Sequence, residues 1–71
     1  MDEKLGKRIA ALRRKRGWTQ EKLAQQLGVS AAAVSKWETG AAYPDIALLC
    51  PLARALGSSV DSLLAFEEKM S

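Results

Sequence analysis

Residues 17–40 read GWTQEKLAQQLGVSAAAVSKWETG, a stretch that predicts two short helices joined by a tight turn. Thr19 can cap the first helix, because its hydroxyl can accept an N–H that has no partner in the first turn. Leu23 and Leu27 are four residues apart, so they lie on one helix face. Gly28 then follows the helix, where a left-handed backbone costs least for a residue without a Cβ.

The second half of this stretch has its own start and stop signals. Ser30 can cap the second helix, and Gly40 can end it. Val34 and Trp37 are three residues apart and are predicted to pack the helix onto the core. Ala24 is small at the place where the second helix must cross the first one closely. The outer face of the second helix is therefore left free.

The segment before this pair is predicted to form a longer, basic helix. It runs from about Glu3 to Arg16 and ends at Gly17, and its apolar stripe consists of Leu5, Ile9 and Leu12. The net charge of the chain is +3, and its N-terminal cations are Lys4, Lys7, Arg8, Arg13, Arg14, Lys15 and Arg16. A basic N-terminal segment favours the binding of a polyanion. Taken alone, however, the run of charged residues is explained equally well by a solvated helix face.

A fourth helix is predicted after the connector that ends at Pro44. Asp45 occupies its N-cap position, and helical spacing continues to Gly57 through Ile46, Leu49, Leu52, Ala53 and Leu56. Pro51 lies inside the pattern and lacks an N–H, so it is expected to bend the helix or make its start irregular. Cys50 is interpreted as a small buried hydrophobic residue.

A short fifth helix completes the predicted fold. Ser58 or Ser59 is expected to cap it, and its apolar residues are Val60, Leu63 and Leu64. No segment shows the alternation typical of a β-strand. The sequence thus predicts an all-α, compact five-helix domain over residues 1–66, followed by a C-terminal tail at 67–71 that is a candidate boundary to further sequence.

Composition narrows the function classes. The chain has 71 residues, of which 48% are hydrophobic and 27% charged, values typical of one small globular domain. One cysteine and no histidine cannot form an internal disulfide or a usual zinc site, so we expect no metal, no cofactor and a reducing, cytoplasmic location. The charged N-terminus resembles neither a signal peptide nor a membrane span.

Several motifs together resemble one known family. They are Thr19-Gln20-Glu21-Lys22-Leu23-Ala24, Gly28-Val29-Ser30, Val34-Ser35-Lys36-Trp37-Glu38-Thr39-Gly40, Tyr43-Pro44-Asp45 and Leu52-Ala53-Arg54-Ala55-Leu56-Gly57. Between Leu5 and about Leu64 the chain is similar to the lambda-repressor-like, or Cro/cI (XRE-type), helix-turn-helix domains of phages and bacteria. The resemblance implies a sequence-specific double-stranded DNA-binding transcriptional regulator that binds a pseudo-palindromic operator as a homodimer. Family members serve as repressors, activators or antitoxins, and a repressor is expected here.

The resemblance also assigns roles to individual residues. It makes 31–38 the recognition helix in the major groove. It puts Gln20 on a phosphate beside the helix N-terminus. The positions at the groove or its edge are Ala31, Ala32, Ala33, Ser35 and Lys36. Thr39 and Tyr43 match positions near the sugar-phosphate backbone, and Arg13 and Glu38 match a buried ion pair.

Plainer interpretations stand beside these roles. Arg16 and Trp18 are further candidates for phosphate contact, although a hydrophobic staple against Leu23 is favoured for Trp18. Gln20 can instead hydrogen-bond locally. Family members often carry polar side chains that read bases where this chain has the three alanines of 31–33. These alanines can offer only methyl contact, chiefly to thymine. Alternatively, they are simply good helix formers.

Two rival functions stand beside DNA binding. An antitoxin or other protein-interaction module needs a partner-binding segment, and only the short stretch from Phe66 is available for it. An enzyme is not expected, because no serine, glutamate or cysteine has the accompanying groups that catalysis needs. No membrane partner and no small-molecule site are evident from the sequence.

Overall fold

The computed structural model describes residues 3–64 of the chain. Five helices run in the order α1 (Glu3–Lys15), α2 (Gln20–Leu27), α3 (Ala31–Thr39), α4 (Ile46–Leu56) and α5 (Val60–Leu64). No strand occurs within residues 3–64, so the predicted all-α class is confirmed. The predicted tail at 67–71 lies outside the described residues. Within them, no helix combines the length and the apolar character that crossing a bilayer requires.

Side-chain caps begin three of the helices. Thr19 Oγ1 accepts the N–H of Lys22 at 3.0 Å, and Ser30 Oγ accepts that of Ala33 at 3.1 Å. Ser59, rather than Ser58, caps α5, since its Oγ lies 3.0 Å from the backbone nitrogen of Ser62. These bonds supply partners for N–H groups that the first helical turn leaves unpaired.

The predicted N-cap position of α4 is confirmed, but the side chain of Asp45 does not cap the helix. Asp45 occupies the N-cap position, but its carboxylate makes no capping hydrogen bond. The side chain is exposed. The backbone carbonyl of Asp45 instead accepts the N–H of Leu48 at 2.8 Å. The helix then continues through Pro51 to its end at Leu56.

A left-handed glycine ends each of the first four helices. At Gly28, φ is +72°, a conformation that residues with a Cβ rarely adopt. This turn lets the N–H of Val29 reach back to the carbonyl of Ala24 at 3.0 Å, which gives an otherwise unpaired carbonyl a partner. The same pattern recurs at the glycines that the sequence predicted as helix ends, Gly17, Gly40 and Gly57. The turn between α2 and α3 is thus short and conformationally specified.

One apolar core joins the five helices. Its fully buried side chains are Ile9, Leu23, Val34, Leu52 and Leu63. The remaining buried members of the cluster are Leu5, Ala24, Trp37, Ala53 and Leu56. Every helix contributes at least one residue, so the predicted apolar stripes are confirmed in their central positions.

Two predictions for α4 are wrong. Ile46 is 82% exposed, although its spacing predicted a place in the core. It is the first residue of α4, ahead of the part that packs on the core through Leu52, Ala53 and Leu56. Cys50 is also exposed, because it lies outside the arc of the helix that these residues occupy.

Gly6 permits a close approach that the motifs did not predict. A Cβ built at Gly6 would lie 2.7 Å from the carbonyl oxygen of Glu38, and closer still to that of Trp37. The backbone of α1 therefore packs directly on the last turn of α3. Any larger residue at position 6 must push the two helices apart.

We expect Gly6→Ala to lower the free energy of unfolding by about 1–3 kcal/mol, the usual range for overpacking. Helix propensity alone would change the result by about 1 kcal/mol in the opposite direction. Urea unfolding measures the effect. Ala11→Gly, at an exposed position of α1, is the control for propensity and should be destabilising by about 1 kcal/mol. A Gly6→Ala protein that is more stable than wild type would contradict the close approach.

Candidate nucleic-acid interface

A buried ion pair joins α1 to the end of α3. Arg13 Nε donates to Glu38 Oε2 at 2.7 Å, and Arg13 Nη2 donates to Glu38 Oε1 at 3.0 Å. The two side chains are only 11% and 6% exposed. This is the pair that the resemblance implied, and its two parallel hydrogen bonds fix the relative orientation of both helices.

Two further hydrogen bonds extend the pair to the start of α2. Arg13 Nη1 donates to the backbone carbonyl of Trp18 at 2.8 Å, and Gln20 Nε2 donates to Glu38 Oε1 at 3.0 Å. Gln20 therefore forms an intramolecular hydrogen bond, but its partner lies on α3 and is not a local one. The side-chain amide nitrogen of Gln20 carries two N–H groups, and this bond engages only one of them. No sequence pattern predicted the contact between Gln20 and Glu38, which are 18 residues apart.

The ion pair shifts the pKa values of both partners. Burial raises the pKa of Glu38, but the hydrogen bonds from Arg13 and Gln20 and the charges of Arg13 and Arg14 outweigh it, so the net shift is downward. The hydrogen bond to Glu38 raises the pKa of Arg13, and burial opposes it only in part. Both groups are therefore charged at neutral pH, and the network is intact there.

The three alanines at the start of α3 do not form a single exposed face. Ala32 is exposed, whereas Ala31 and Ala33 are half-buried and pack against the core. Three consecutive helical residues span about 200° of the helix circumference, which is more than a groove-facing stripe can include. Further along α3, Ser35 is half-buried and Lys36 is exposed.

Two more predicted site residues, Thr39 and Tyr43, follow Lys36 in the chain. Thr39 is exposed, and its hydroxyl donates to the carbonyl of Lys36 at 3.2 Å, which fixes its orientation. Tyr43 lies beyond α3 and is 50% exposed. Both are accessible to a ligand that contacts the C-terminal end of α3.

Arg16 and Trp18 contact each other. The guanidinium carbon of Arg16 lies 4.7 Å from the centroid of the indole ring, a cation–π distance. Trp18 is half-buried against the core that contains Leu23, and it lines a groove with Leu12, Lys15, Arg16, Leu56 and Gly57. Arg16 is thus held against the protein while remaining exposed.

The basic N-terminal cluster is smaller than its residue count suggests. Arg13 is committed to the internal ion pair and presents no charge to a ligand. The described side chains in this cluster that are exposed are Lys7, Arg14, Lys15 and Arg16. The side chain of Lys4 lies outside the described part of the chain.

Comparisons with known proteins identify similar sequences and folds. A sequence model of the helix-turn-helix family matches residues 9–63. The HTH-type transcriptional activator BcrR of Enterococcus faecalis is 41% identical over 61 residues, or 86% of this chain. The chain spans only 30% of the length of BcrR.

Two solved structures have similar folds. The P22 c2 repressor in complex with the synthetic operator 9T superposes with a TM-score of 0.80 at 39% identity, over 83% of this chain and 89% of that one. SinR, a master regulator for biofilm formation, in complex with DNA gives a TM-score of 0.78 at 31% identity, over 84% of this chain and 97% of that one.

We expect the Arg13–Glu38 pair to show strong coupling in a double-mutant cycle. Arg13→Met or Glu38→Gln alone should lower the free energy of unfolding by about 3–5 kcal/mol, because each leaves its partner buried without a counter-charge or with fewer hydrogen bonds. The double variant should lose clearly less free energy of unfolding than the sum of the losses in the two single variants. Arg54→Met, which removes an exposed cation on α4, is the control and should change stability by about 0.5 kcal/mol at most. If the losses of the two single variants add up to the loss of the double variant, the result would contradict the observed ion-pair geometry.

We also expect acid to weaken the fold through Glu38. Folding lowers the pKa of this carboxyl below its ordinary value of 4.5, so its contribution is complete above that pH and is lost as the pH falls through the folded-state pKa. Urea unfolding between pH 7 and pH 3 measures the loss. The Glu38→Gln protein should lose less stability over this interval than wild type. Equal losses in both proteins would contradict the assignment.

Proposed function

Because the chain belongs to the Cro/cI-type (XRE) helix-turn-helix family, we propose that it binds double-stranded DNA as a transcriptional regulator. The observation that carries the proposal is the hydrogen-bonded unit of α2 and α3. Gln20, at the start of α2, is tied to Glu38, at the end of α3, and Ala32 and Lys36 on α3 are exposed. The proposed activity is binding and not catalysis.

The proposed docking puts α3 into the major groove. A groove about 12 Å wide admits a helix, and Ala32, Ser35 and Lys36 lie three or four residues apart, on the side of α3 away from the core residues Val34 and Trp37. The N-terminus of α2 then approaches the sugar-phosphate backbone, where the second N–H of Gln20 contacts a phosphate. Thr39 and Tyr43 contact the backbone near the other end of α3.

We propose that two copies bind one pseudo-palindromic operator and repress transcription by occupying it. Such docking places the two recognition helices about 34 Å apart, one turn of DNA. We also expect self-association through the apolar residues Leu64, Phe66 and Met70 near the C-terminus. Phe66, Met70 and the side chain of Leu64 lie outside the described residues. We also propose a cytoplasmic location, because that is where a bacterial protein meets operator DNA.

Selection of binding sequences from a random DNA pool tests the proposal. We expect a recovered consensus made of two inverted half-sites about one DNA turn apart. On that site, a dimer that neutralises about six phosphates should show a log–log salt dependence with a slope of about −5. Lys36→Ala should weaken binding more than Arg54→Ala, although both remove one exposed cation.

Other outcomes of this experiment are informative. A pool that yields no bound DNA at low salt would overturn the proposed function and favour a protein-interaction module. A single half-site with one protein per site would leave DNA binding intact and overturn the dimer. A flat salt response would show that phosphate contacts contribute little.

A further inference from the structure

The first turn of α3 carries no polar side-chain atom. It consists of Ala31, Ala32, Ala33 and Val34, and Ala32 is the exposed member. Ala31 and Ala33 are half-buried against the core, so the turn is held in place by packing on both sides of Ala32. The end of the helix that enters the groove therefore presents a single fixed methyl group.

Only one alkyl group is available on base edges in the major groove. It is the C5-methyl group of a pyrimidine, which thymine carries and cytosine lacks unless it is methylated. Apart from small C–H groups such as purine C8–H and cytosine C5–H, the other exposed groups on these edges are donors or acceptors, and covering one of them with a methyl group removes its water without replacing the hydrogen bond. An alanine side chain has no rotamers to order, so contact with it requires no loss of side-chain entropy.

We propose that the Ala32 methyl group reads the C5-methyl group of pyrimidines, so that the half-site of this protein contains a thymine that 5-methylcytosine can replace. This inference rests on the proposed DNA-binding function and specifies its ligand chemistry. The contact is purely apolar and favours the methylated base in two ways. It buries the methyl group, and it disfavours bases whose polar atoms would be covered.

Lys36 supplies the neighbouring contact. It lies four residues after Ala32, on the same side of α3 and about 6 Å further along the helix axis. This distance corresponds to about two base-pair steps. The exposed ammonium group of Lys36 can donate to guanine O6 or N7. The geometry therefore places a methyl-bearing pyrimidine and a guanine within about two base pairs of each other in each half-site.

Replacement of thymine by deoxyuridine in the selected operator tests the methyl contact directly. The exchange removes only the C5-methyl group and leaves the base pairing unchanged. We expect uracil at one thymine position per half-site to weaken binding by about fourfold, the factor that corresponds to burial of one methylene-sized group. At that position, 5-methylcytosine paired with guanine should bind more tightly than cytosine by a similar factor.

Protein variants assign the effect to Ala32. Ala32→Gly should bind the thymine and uracil operators equally, because the protein partner of the methyl group is gone. Ala11→Gly, the matched change at an exposed helical position of α1, should retain the fourfold difference. Lys36→Ala should relax the preference for guanine by at least about fivefold while leaving the thymine–uracil difference unchanged.

Three results would overturn the inference without affecting the proposed function. They are a consensus without thymine in its half-sites, full-affinity binding to an operator with uracil at every thymine position, and a thymine–uracil difference that survives Ala32→Gly. Failure to bind any DNA is a separate result, because it would overturn the proposed function itself.

Discussion

The ion pair between Arg13 and Glu38 is the constraint on which the rest of this structure depends. Glu38 accepts hydrogen bonds from Arg13 and Gln20, and Arg13 also holds the carbonyl of Trp18, so one cluster connects α1, the turn after it, α2 and α3. Removing either charge leaves the other one shielded from water. The relative positions of α2 and α3 are therefore set by polar geometry in addition to apolar packing.

The close approach of α1 and α3 makes this cluster possible. Without a side chain at Gly6, the backbone of α1 reaches the carbonyls of Trp37 and Glu38 directly. The last turn of α3 is thus held on α1 at two places, by the backbone approach at Gly6 and by the bidentate bonds from Arg13 to Glu38. Gly6 and the Arg13–Glu38 pair thus both stabilise the packing of α1 on α3. Neither contributes an atom to the exposed side of α3.

This arrangement separates folding from recognition. The buried side of α3 holds Val34 and Trp37, whereas the exposed side carries Ala32 and Lys36. Substitutions on the exposed side change the chemistry offered to a ligand without changing the core. The same scaffold in the P22 c2 repressor, with a TM-score of 0.80 at 39% identity, shows that the fold tolerates many differences in sequence. The exposed residues of α3 are Ala32, Lys36 and Thr39, so this side carries a methyl group, a cation and a threonine side chain.

The sequence by itself determined the elements of the fold, because their signals are local. The caps at Thr19 and Ser30 and the turn at Gly28 act within one helical turn of their own position, and the apolar stripes repeat with the helical period. Only the tertiary structure decided which surfaces are covered. The exposure of Ile46, the partial burial of Ala31 and Ala33, the approach at Gly6 and the bond from Gln20 to Glu38 all depend on neighbours that are distant in the chain. Periodicity indicates that a residue lies on one side of a helix, but burial requires a partner helix at that height along the axis.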